Sequence, residues 1–312
     1  MFLMLLWLNA AAAGEWRASL GAELNADTHG TFDLGYRQGD WAAELLTDTL
    51  ELRYAPDLPR GRWWIAGRAE ARIADLTPFP WQDGAPAPEL GFWSSYAGGH
   101  GGWIRYLPRG LYAGVQADAR AYRFLATADT AVPLPSSRRR IRAELVGGWW
   151  TEPVQVYATA GVQNTPGVTA PHAQISVSVS PGWRVAPLVQ GWAGWGAEQD
   201  FLTRTRMGGL NPYVVPLAGA AWAEWWAEDY AVLRAGPQLN AGPVAVSAVG
   251  DVGWSDASGT VWGLGLLGRV QPARWFLETS AGYGAGVERA AGVSPVSVWI
   301  LWGLDWGGQP SG

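Results

Sequence analysis

Hydrophobic and polar residues alternate one by one along most of the chain, in segments of about ten residues. The segment from Gln174 to Ser180 shows the pattern, with Ile175, Val177 and Val179 separated by single polar residues. Because successive side chains of a β-strand leave opposite faces of the sheet, this segment has one apolar face and one polar face. Gly and Pro turns separate the segments, and no helical periodicity intervenes. The pattern therefore predicts an all-β chain of amphipathic strands.

The number of segments predicts about sixteen strands, within a range of about fourteen to eighteen, in a single closed antiparallel transmembrane β-barrel. The predicted strands are residues 16–26, 32–37, 41–54, 62–74, 98–107, 111–126, 138–150, 154–163, 171–180, 184–197, 201–210, 222–236, 244–254, 260–270, 274–286 and 296–306. The proline-rich residues 75–97 lose the alternation, which predicts a long loop or a plug-like insertion.

Outer-membrane barrels place short turns at one end and long loops at the other. Under the strand assignment above, the short turns change ends around residues 55–97 and again around residues 198–222. This change of ends indicates one miscounted element in each region.

The composition supports a membrane location for these strands. Charged residues make up 16% of the chain, whereas typical soluble domains carry about 25%. The mean hydropathy of −0.02 is close to zero, as expected when half of each strand is polar. The chain holds 22 Trp, a residue whose amphipathic ring settles at the headgroup level of a bilayer. A soluble, Trp-rich glycan-binding sandwich is the alternative that this composition leaves open.

Residues 1–13 are predicted to be a signal peptide. Met1 to Leu8 is a short apolar stretch, and the small residues from Asn9 to Gly14 provide a site for signal peptidase. The stretch is too short to span a bilayer. Residues 14–312 are then predicted to form the β-barrel, and we expect the protein in the outer membrane of a diderm, Gram-negative bacterium.

Several function classes are disfavoured by residue content. The chain has no Cys, so the sequence offers no disulfide, iron–sulfur site or thiol nucleophile. A net charge of −5 argues against nucleic-acid binding, and no phosphate-binding loop motif is present. We expect no cofactor and no metal. The expected partners are outer-membrane lipid, the barrel-assembly machinery during biogenesis and, as a further option, an envelope protein.

Charged residues lie on the polar faces of the predicted strands, which would line the barrel lumen. Arg138, Arg140 and Arg142 share one strand face with Glu144. As a positive row they would favour anions in a pore. Alternatively, they pair with carboxylates in a lattice that fills a narrow lumen. The lumen-lining candidates are Arg68, Glu70, Arg72, Asp118, Arg120, Arg138, Arg140, Arg142, Glu144 and Glu278.

The three histidines, His29, His100 and His172, are the possible bases of a His-dependent hydrolase. His100 lies in a Gly-rich stretch and could act as a general base for Ser94 or Ser95. No nucleophile elbow or spaced partner accompanies it. The expectation is therefore that the protein is not an enzyme, and an outer-membrane hydrolase is kept as an alternative.

The segment from residue 201 to 237 departs most strongly from regular alternation. Its marker residues, in order, are Gly208, Gly209, Gly219 and Glu224. In this order it resembles the Omp85 superfamily barrel, in which a Gly-Gly pair precedes a long loop folded into the lumen and a strand bearing an inward Glu. The resemblance implies that Gly208, Gly209 and Gly219 belong to such a loop, between strands eleven and twelve. The family's Arg-Gly-aromatic tip is absent, and Ala218-Gly219 is the nearest match.

The last predicted strand, 296–306, has one unbroken apolar face and ends in Trp306. It resembles the C-terminal signal by which outer-membrane barrels are recognised for insertion, although residues 307–312 follow it. Together these features predict a structural or transport role, as a narrow pore or a subunit of an envelope machine. Two alternatives stay open: an Omp85-like barrel acting in lipid or protein insertion, and a His-dependent, lipid-active enzyme.

Overall fold

The computed structural model describes residues 14–24, 29–47, 49–58, 61–70, 81–165, 167–210, 214–221, 223–272 and 274–306. The predicted signal peptide, residues 1–13, lies outside this part of the chain. Within the described residues, no helix is long and apolar enough to cross a membrane.

The wall of the molecule is a closed, antiparallel barrel of sixteen strands, which confirms the predicted fold. In chain order the strands are β1 Glu15–Leu24, β2 His29–Gln38, β3 Trp41–Leu46, β4 Thr49–Tyr54, β5 Gly61–Glu70, β6 Trp93–Tyr106, β7 Leu111–Leu125, β8 Arg138–Trp150, β9 Val154–Thr165, β10 Val168–Val179, β11 Val185–Gly196, β12 Tyr230–Ala241, β13 Val244–Ser255, β14 Gly259–Val270, β15 Trp275–Tyr283 and β16 Val296–Trp306.

The barrel closes where β1 pairs with β16. The register runs from Trp16 opposite Trp306 to Leu24 opposite Val298, so the whole of β1 after Glu15 takes part. Closure gives the strands partners on both sides, and a barrel in lipid needs this because hydrocarbon offers no hydrogen bonds to a free sheet edge.

The two faces of the strands differ as the alternation predicts. On β1, Leu20 points outward and is 61% exposed, whereas its neighbour Ser19 points inward and is 5% exposed. Ile65 on β5 and Leu145 on β8 are exposed on the outside in the same way. A wall whose large apolar side chains face outward is suited to a surrounding of acyl chains.

Two predicted strands are wrong, and the errors cancel in the count. Residues 41–54 form two strands, β3 and β4, which meet at a tight turn where Thr47 has φ of 53°. Residues 201–210 are not a wall strand; their short strand Thr205–Met207 pairs with Trp225–Ala227 in a separate two-stranded sheet. A turn resets the phase of the alternation. In the sequence, Asp48 interrupts the alternation of the predicted strand 41–54, and the turn at Thr47 accounts for this interruption.

Several predicted boundaries also move. β6 begins at Trp93, within the segment predicted as a loop, and β12 begins at Tyr230 rather than at residue 222. The described part of the predicted 75–97 loop contains a small hairpin, Trp81–Gln82 with Ala85–Pro86, and a helical turn, Pro88–Leu90. Asp57–Leu58 pairs with the start of β5, and Pro108–Gly110 makes a second helical turn.

With these corrections one end of the barrel carries short connections throughout, whereas the other end carries all the long ones together with the short turns after β3, β9 and β13. Short connections follow the even-numbered strands β2 to β14, at the end where β1 begins and β16 ends, as at residues 39–40, 107–110 and 242–243. The long connections, 71–92, 126–137, 197–229 and 284–295, all lie at the opposite end. Since short turns are periplasmic in outer-membrane barrels, the long connections are assigned to the extracellular side.

Candidate functional site

The connection between β11 and β12, residues 197–229, folds back into the barrel and is the candidate site; we call it the lumen loop. Its side chains Met207 and Leu217 have no exposed surface. They pack with Val232 of β12 and Val261 of β14, two inward residues of the wall. An extracellular connection that buries its own apolar residues against the inner wall occupies the lumen.

Glycines allow the turns of the lumen loop. Gly208, Gly209 and Gly219 have φ angles of 111°, 86° and 79°, in the left-handed region that other residues avoid. Gly219 also lies against the wall: a Cβ placed on it would be 1.7 Å from the backbone nitrogen of Gly284. The three glycines singled out from the sequence therefore belong to one loop inside the barrel.

The first anchor of the lumen loop is at residues 200–202, against β8. Arg138 forms an ion pair with Asp200 at 2.7 Å, and its guanidinium lies 4.7 Å from the ring centre of Phe201. Arg140 donates from Nη1 to the carbonyl oxygen of Leu202 at 2.9 Å. This end of the loop is held by charge and by aromatic contact together.

The second anchor is at the tip of the loop. The backbone N–H of Ala218 donates to Oδ2 of Asp251, on β13, at 2.7 Å. Asp251 also receives two hydrogen bonds from Arg234 of β12, at 2.8 and 2.7 Å. Both side chains are buried, so this ion pair links two wall strands and the loop in one contact.

The third anchor joins the returning part of the loop to the connection between β15 and β16. Arg289 donates from Nη2 to Glu224 at 2.8 Å and to the carbonyl oxygen of Gly219 at 3.0 Å. The N–H of Ala221 donates to the same carboxylate at 2.8 Å. Burial raises the pKa of Glu224, and the charge of Arg289 only partly opposes this effect.

The inner wall of β7 and β8 carries a dense cluster of charges. Asp118 accepts contacts from Arg120, Arg140 and Arg142 at 3.2, 3.1 and 3.2 Å, all on the same oxygen. Arg142 also lies 3.5 Å from Glu144. Each arginine of the predicted row thus has a carboxylate neighbour, because Arg138 pairs with Asp200.

The remaining predicted lumen residues are scattered. Glu278 lies 3.4 Å from Arg269, in a partly exposed pair near the periplasmic end of β14 and β15. Arg68 and Glu70 are described only through the backbone of β5, and Arg72 falls outside the described residues.

The histidines that the sequence offered for catalysis contact carboxylates. His100 lies 3.0 Å from Glu51, and His172 lies 2.7 Å from Glu144. Ser94 is six residues from His100 along β6, roughly 20 Å at the rise of an extended strand. The pairing of His100 with Ser94 or Ser95 is therefore not made in this structure. His29 is described only through its backbone.

Sequence reasoning missed Arg234, Asp251 and Arg289 as anchors. For Arg234 and Asp251 the sequence held a signal. If Gly242 and Pro243 form a two-residue hairpin turn, each residue before the turn pairs with the residue that lies equally far after it. That register places Arg234 opposite Asp251, as the structure shows. Arg289 lies in an irregular connection, where the sequence carries no register.

No protein-family model matches the chain, and no curated protein matches it in sequence. Solved structures do match its fold. CdiB from Acinetobacter baumannii aligns with a TM-score of 0.61 and 11% identity, over 94% of this chain and 60% of that chain. BamA from Haemophilus ducreyi, in a structure lacking POTRA domains 1–3, aligns with a TM-score of 0.63 and 10% identity, over 94% of this chain and 70% of that chain. CdiB from Escherichia coli aligns with a TM-score of 0.59 and 13% identity, over 93% of this chain and 63% of that chain.

These likenesses define the class: the chain folds as a β-barrel of the bacterial outer-membrane type, and the apolar exterior places it in that membrane. Within the class, the matched barrels CdiB and BamA belong to the Omp85 superfamily, which confirms the predicted resemblance at the level of fold. The chain spans 60% of the length of the A. baumannii CdiB chain.

Proposed function

We propose that this protein is a transport barrel of the outer membrane that its own lumen loop holds closed. The observation that carries the proposal is the threefold anchoring of residues 197–229. The loop is tied to β8 through Arg138, to β13 through Asp251 and to the β15–β16 connection through Arg289. A segment attached on three sides of the lumen obstructs it, whereas an open diffusion pore needs a continuous water-filled route.

The charge cluster of β7 and β8 supports a closed resting state. Four arginines of this cluster, the row Arg138, Arg140 and Arg142 together with Arg120, lie against three carboxylates, Asp118, Glu144 and Asp200, so most of the positive charge is offset while the loop is docked. A route that favours anions is then a property of the state in which the loop is released. In that state Arg138 and Arg140 lose their loop partners, Asp200 and the Leu202 carbonyl.

The resemblance to Omp85 barrels adds to this proposal, because a loop folded into the lumen is what that resemblance implies for residues 201–237. Passage of a substrate requires the loop to leave its anchors. The three anchors are polar contacts at the loop's two ends and its tip, so they are the places where release would begin.

Single-channel recording in planar bilayers tests the proposal. The parent protein is compared with a variant in which residues 198–227, which hold all three anchors, are replaced by a short Gly/Ser linker, so that the sixteen wall strands stay intact. A matched control shortens the extracellular connection 126–137 instead. We expect brief, rare openings for the parent and the control, and long-lived ion-selective steps for the lumen-loop variant.

Heat-modifiable mobility in gel electrophoresis checks that all three proteins form barrels. Long-lived steps in the parent would contradict the proposal, because they require an open lumen with the loop present. Silence of a folded lumen-loop variant would contradict it too, and would favour a filled scaffold or a barrel that works only with a partner.

A further inference from the structure

The outer surface of the barrel carries an apolar groove across β10 to β14, with a volume of about 440 Å³. Its walls are large side chains that point away from the lumen, from Ile175, Leu233 and Trp254. These residues are 44%, 50% and 46% exposed. The groove is therefore open to the surroundings of the barrel and separate from the lumen loop.

Small residues on neighbouring strands create the groove. Across the pairing of β10, β11 and β12, Ala193 lies between Ile175 and Ala231, and Gly191 lies between Val177 and Leu233. Ala193 and Gly191, which have almost no side chain, thus lie side by side on the outer face of β11. Larger side chains on the neighbouring strands, such as Ile175, Val177 and Leu233, project around them. The result is a concave strip in a wall that otherwise presents projecting Leu, Val and Trp side chains.

The lining is apolar almost throughout, with Thr260 at one end as a polar side chain. The groove runs from the middle part of β10 and β11 towards the extracellular ends of β12, β13 and β14, where Ala231, Trp254 and Thr260 lie next to a strand end. It is continuous with the apolar exterior that contacts lipid. The medium that reaches it is therefore acyl chains, and no headgroup chemistry is provided inside it.

We propose that this groove binds one acyl chain of an outer-membrane lipid in preference to the rest of the barrel wall. A chain lying in the groove contacts protein on three sides, whereas a chain on a convex wall contacts it on one. Individual dispersion contacts are small, but they add along the chain. The occupant is thus a hydrocarbon chain, recognised by shape and without polar contacts.

A photoreactive lipid tests this site directly. The protein is reconstituted in phospholipid vesicles that contain a phosphatidylethanolamine with a diazirine on one acyl chain. After irradiation and digestion, mass spectrometry locates the adducts. We expect severalfold more adducts at Ile175, Ala193 and Leu233 than at Leu264 and Leu266, which are 55% and 59% exposed on the smooth wall of β14.

Two matched substitutions separate the groove from general lipid contact. Ala231→Trp fills the groove, and Ala248→Trp places the same side chain on the lipid-facing side of β13 outside it. The enrichment should disappear in A231W and persist in A248W, with Ala231→Leu as a milder filling variant if the first does not fold. Labelling in proportion to exposure, or equal loss in both variants, would overturn the site. Crosslinks between two protein copies at the groove would overturn it as well, by assigning the surface to a dimer.

The labelling pattern does not depend on conductance. A closed parent barrel and an open one present the same outer wall, so failure here and failure of the proposed transport function are distinguishable.

Discussion

Arg234 and Asp251 face each other across β12 and β13 and form a two-pronged ion pair, with N–O distances of 2.8 and 2.7 Å. The same carboxylate accepts the backbone N–H of Ala218 at the tip of the lumen loop. One buried aspartate therefore serves the wall and the loop at once. Breaking this ion pair is expected to loosen the loop at its tip, which lies far from both ends of the connection.

Asp251→Ala is expected to release the tip of the lumen loop. The substitution leaves Arg234 buried without its partner, and removing one member of a buried pair costs ~3–5 kcal/mol. In planar bilayers we expect longer and more frequent openings than in the parent. Trypsin added outside vesicles should then cleave at Arg204 or Arg206, in the released loop.

Arg269→Ala is the matched control for this prediction. Arg269 belongs to a partly exposed pair with Glu278, and exposed pairs contribute about 0–1 kcal/mol. The channel recordings of the control should match those of the parent. Unchanged conductance and an uncleaved loop in a folded Asp251→Ala barrel would show that Asp251 does not hold the loop.

Gly219→Ala is expected to displace the loop tip for a steric reason. A non-glycine residue in the left-handed region costs about 1–2 kcal/mol, and here the added Cβ would also meet the backbone of Gly284 at 1.7 Å. Gly242→Ala, in the periplasmic turn, has a similar φ of 60° but nothing within 4 Å of the added atom.

The comparison isolates the steric contact from the backbone strain that both variants share. Channel recordings should show more openings for Gly219→Ala and a parent-like record for Gly242→Ala. Equal records for the two variants would mean that the close approach of Gly219 to Gly284 plays no part in closure.

The raised pKa of Glu224 predicts how closure depends on pH. A carboxyl group whose pKa is higher in the docked loop than in the released loop binds its proton more tightly when docked. Its stabilising contribution is complete below the ordinary pKa and is lost as pH rises through the raised value. Brief openings of the parent should become more frequent as the pH is raised from about 4 towards neutrality, the range above the usual carboxyl pKa.

Glu224→Gln carries no titrating group at this position, so its opening frequency should lack this pH dependence. A parent that opens more as pH falls, with a flat Glu224→Gln record, would reverse the sign and contradict the role of burial at Glu224.

Arg140→Gln tests the anion route in the open state. In the background with residues 198–227 replaced, Arg140 has lost its loop partner, the Leu202 carbonyl, and its charge is freer to act on ions. Reversal potentials in a salt gradient should show a weaker anion preference than in the same background with Arg140 intact. Arg269→Gln in that background is the control. Identical selectivity of all three proteins would remove the Arg138–Arg142 row from the route.

The outline of the fold was accessible from the sequence because lipid outside and polar groups inside impose a period of two on every strand. β1 shows this plainly, since it alternates without a break from Trp16 to Leu24. Its partner β16 keeps an unbroken apolar outer face, although its inward Trp299 and Leu301 are apolar as well. The same rule failed at residues 41–54. There the turn lacks glycine, and the break in alternation at Asp48 fits a bulge as well as a reversal of the chain.

The candidate site was accessible only in part. Gly208, Gly209 and Gly219 were found through the resemblance to Omp85 barrels, and a hairpin register would have paired Arg234 with Asp251. The contact of Glu224 with Arg289 could not be predicted, because it joins two irregular connections 65 residues apart. Such contacts depend on how loops fold against the wall, and no local periodicity encodes that.

A reversible crosslink measures the closing role of the lumen loop most directly. A Cβ placed on Gly265 lies 3.4 Å from the Cβ of Ala218, near the separation of about 3.5–4.5 Å found in disulfides. The native chain has no cysteine, so Ala218→Cys with Gly265→Cys, added to Asp251→Ala, creates one defined pair. We predict a quiet barrel when the pair is oxidised and long-lived steps after a reducing agent is added to the same membrane. The same current in both states would contradict closure by the lumen loop.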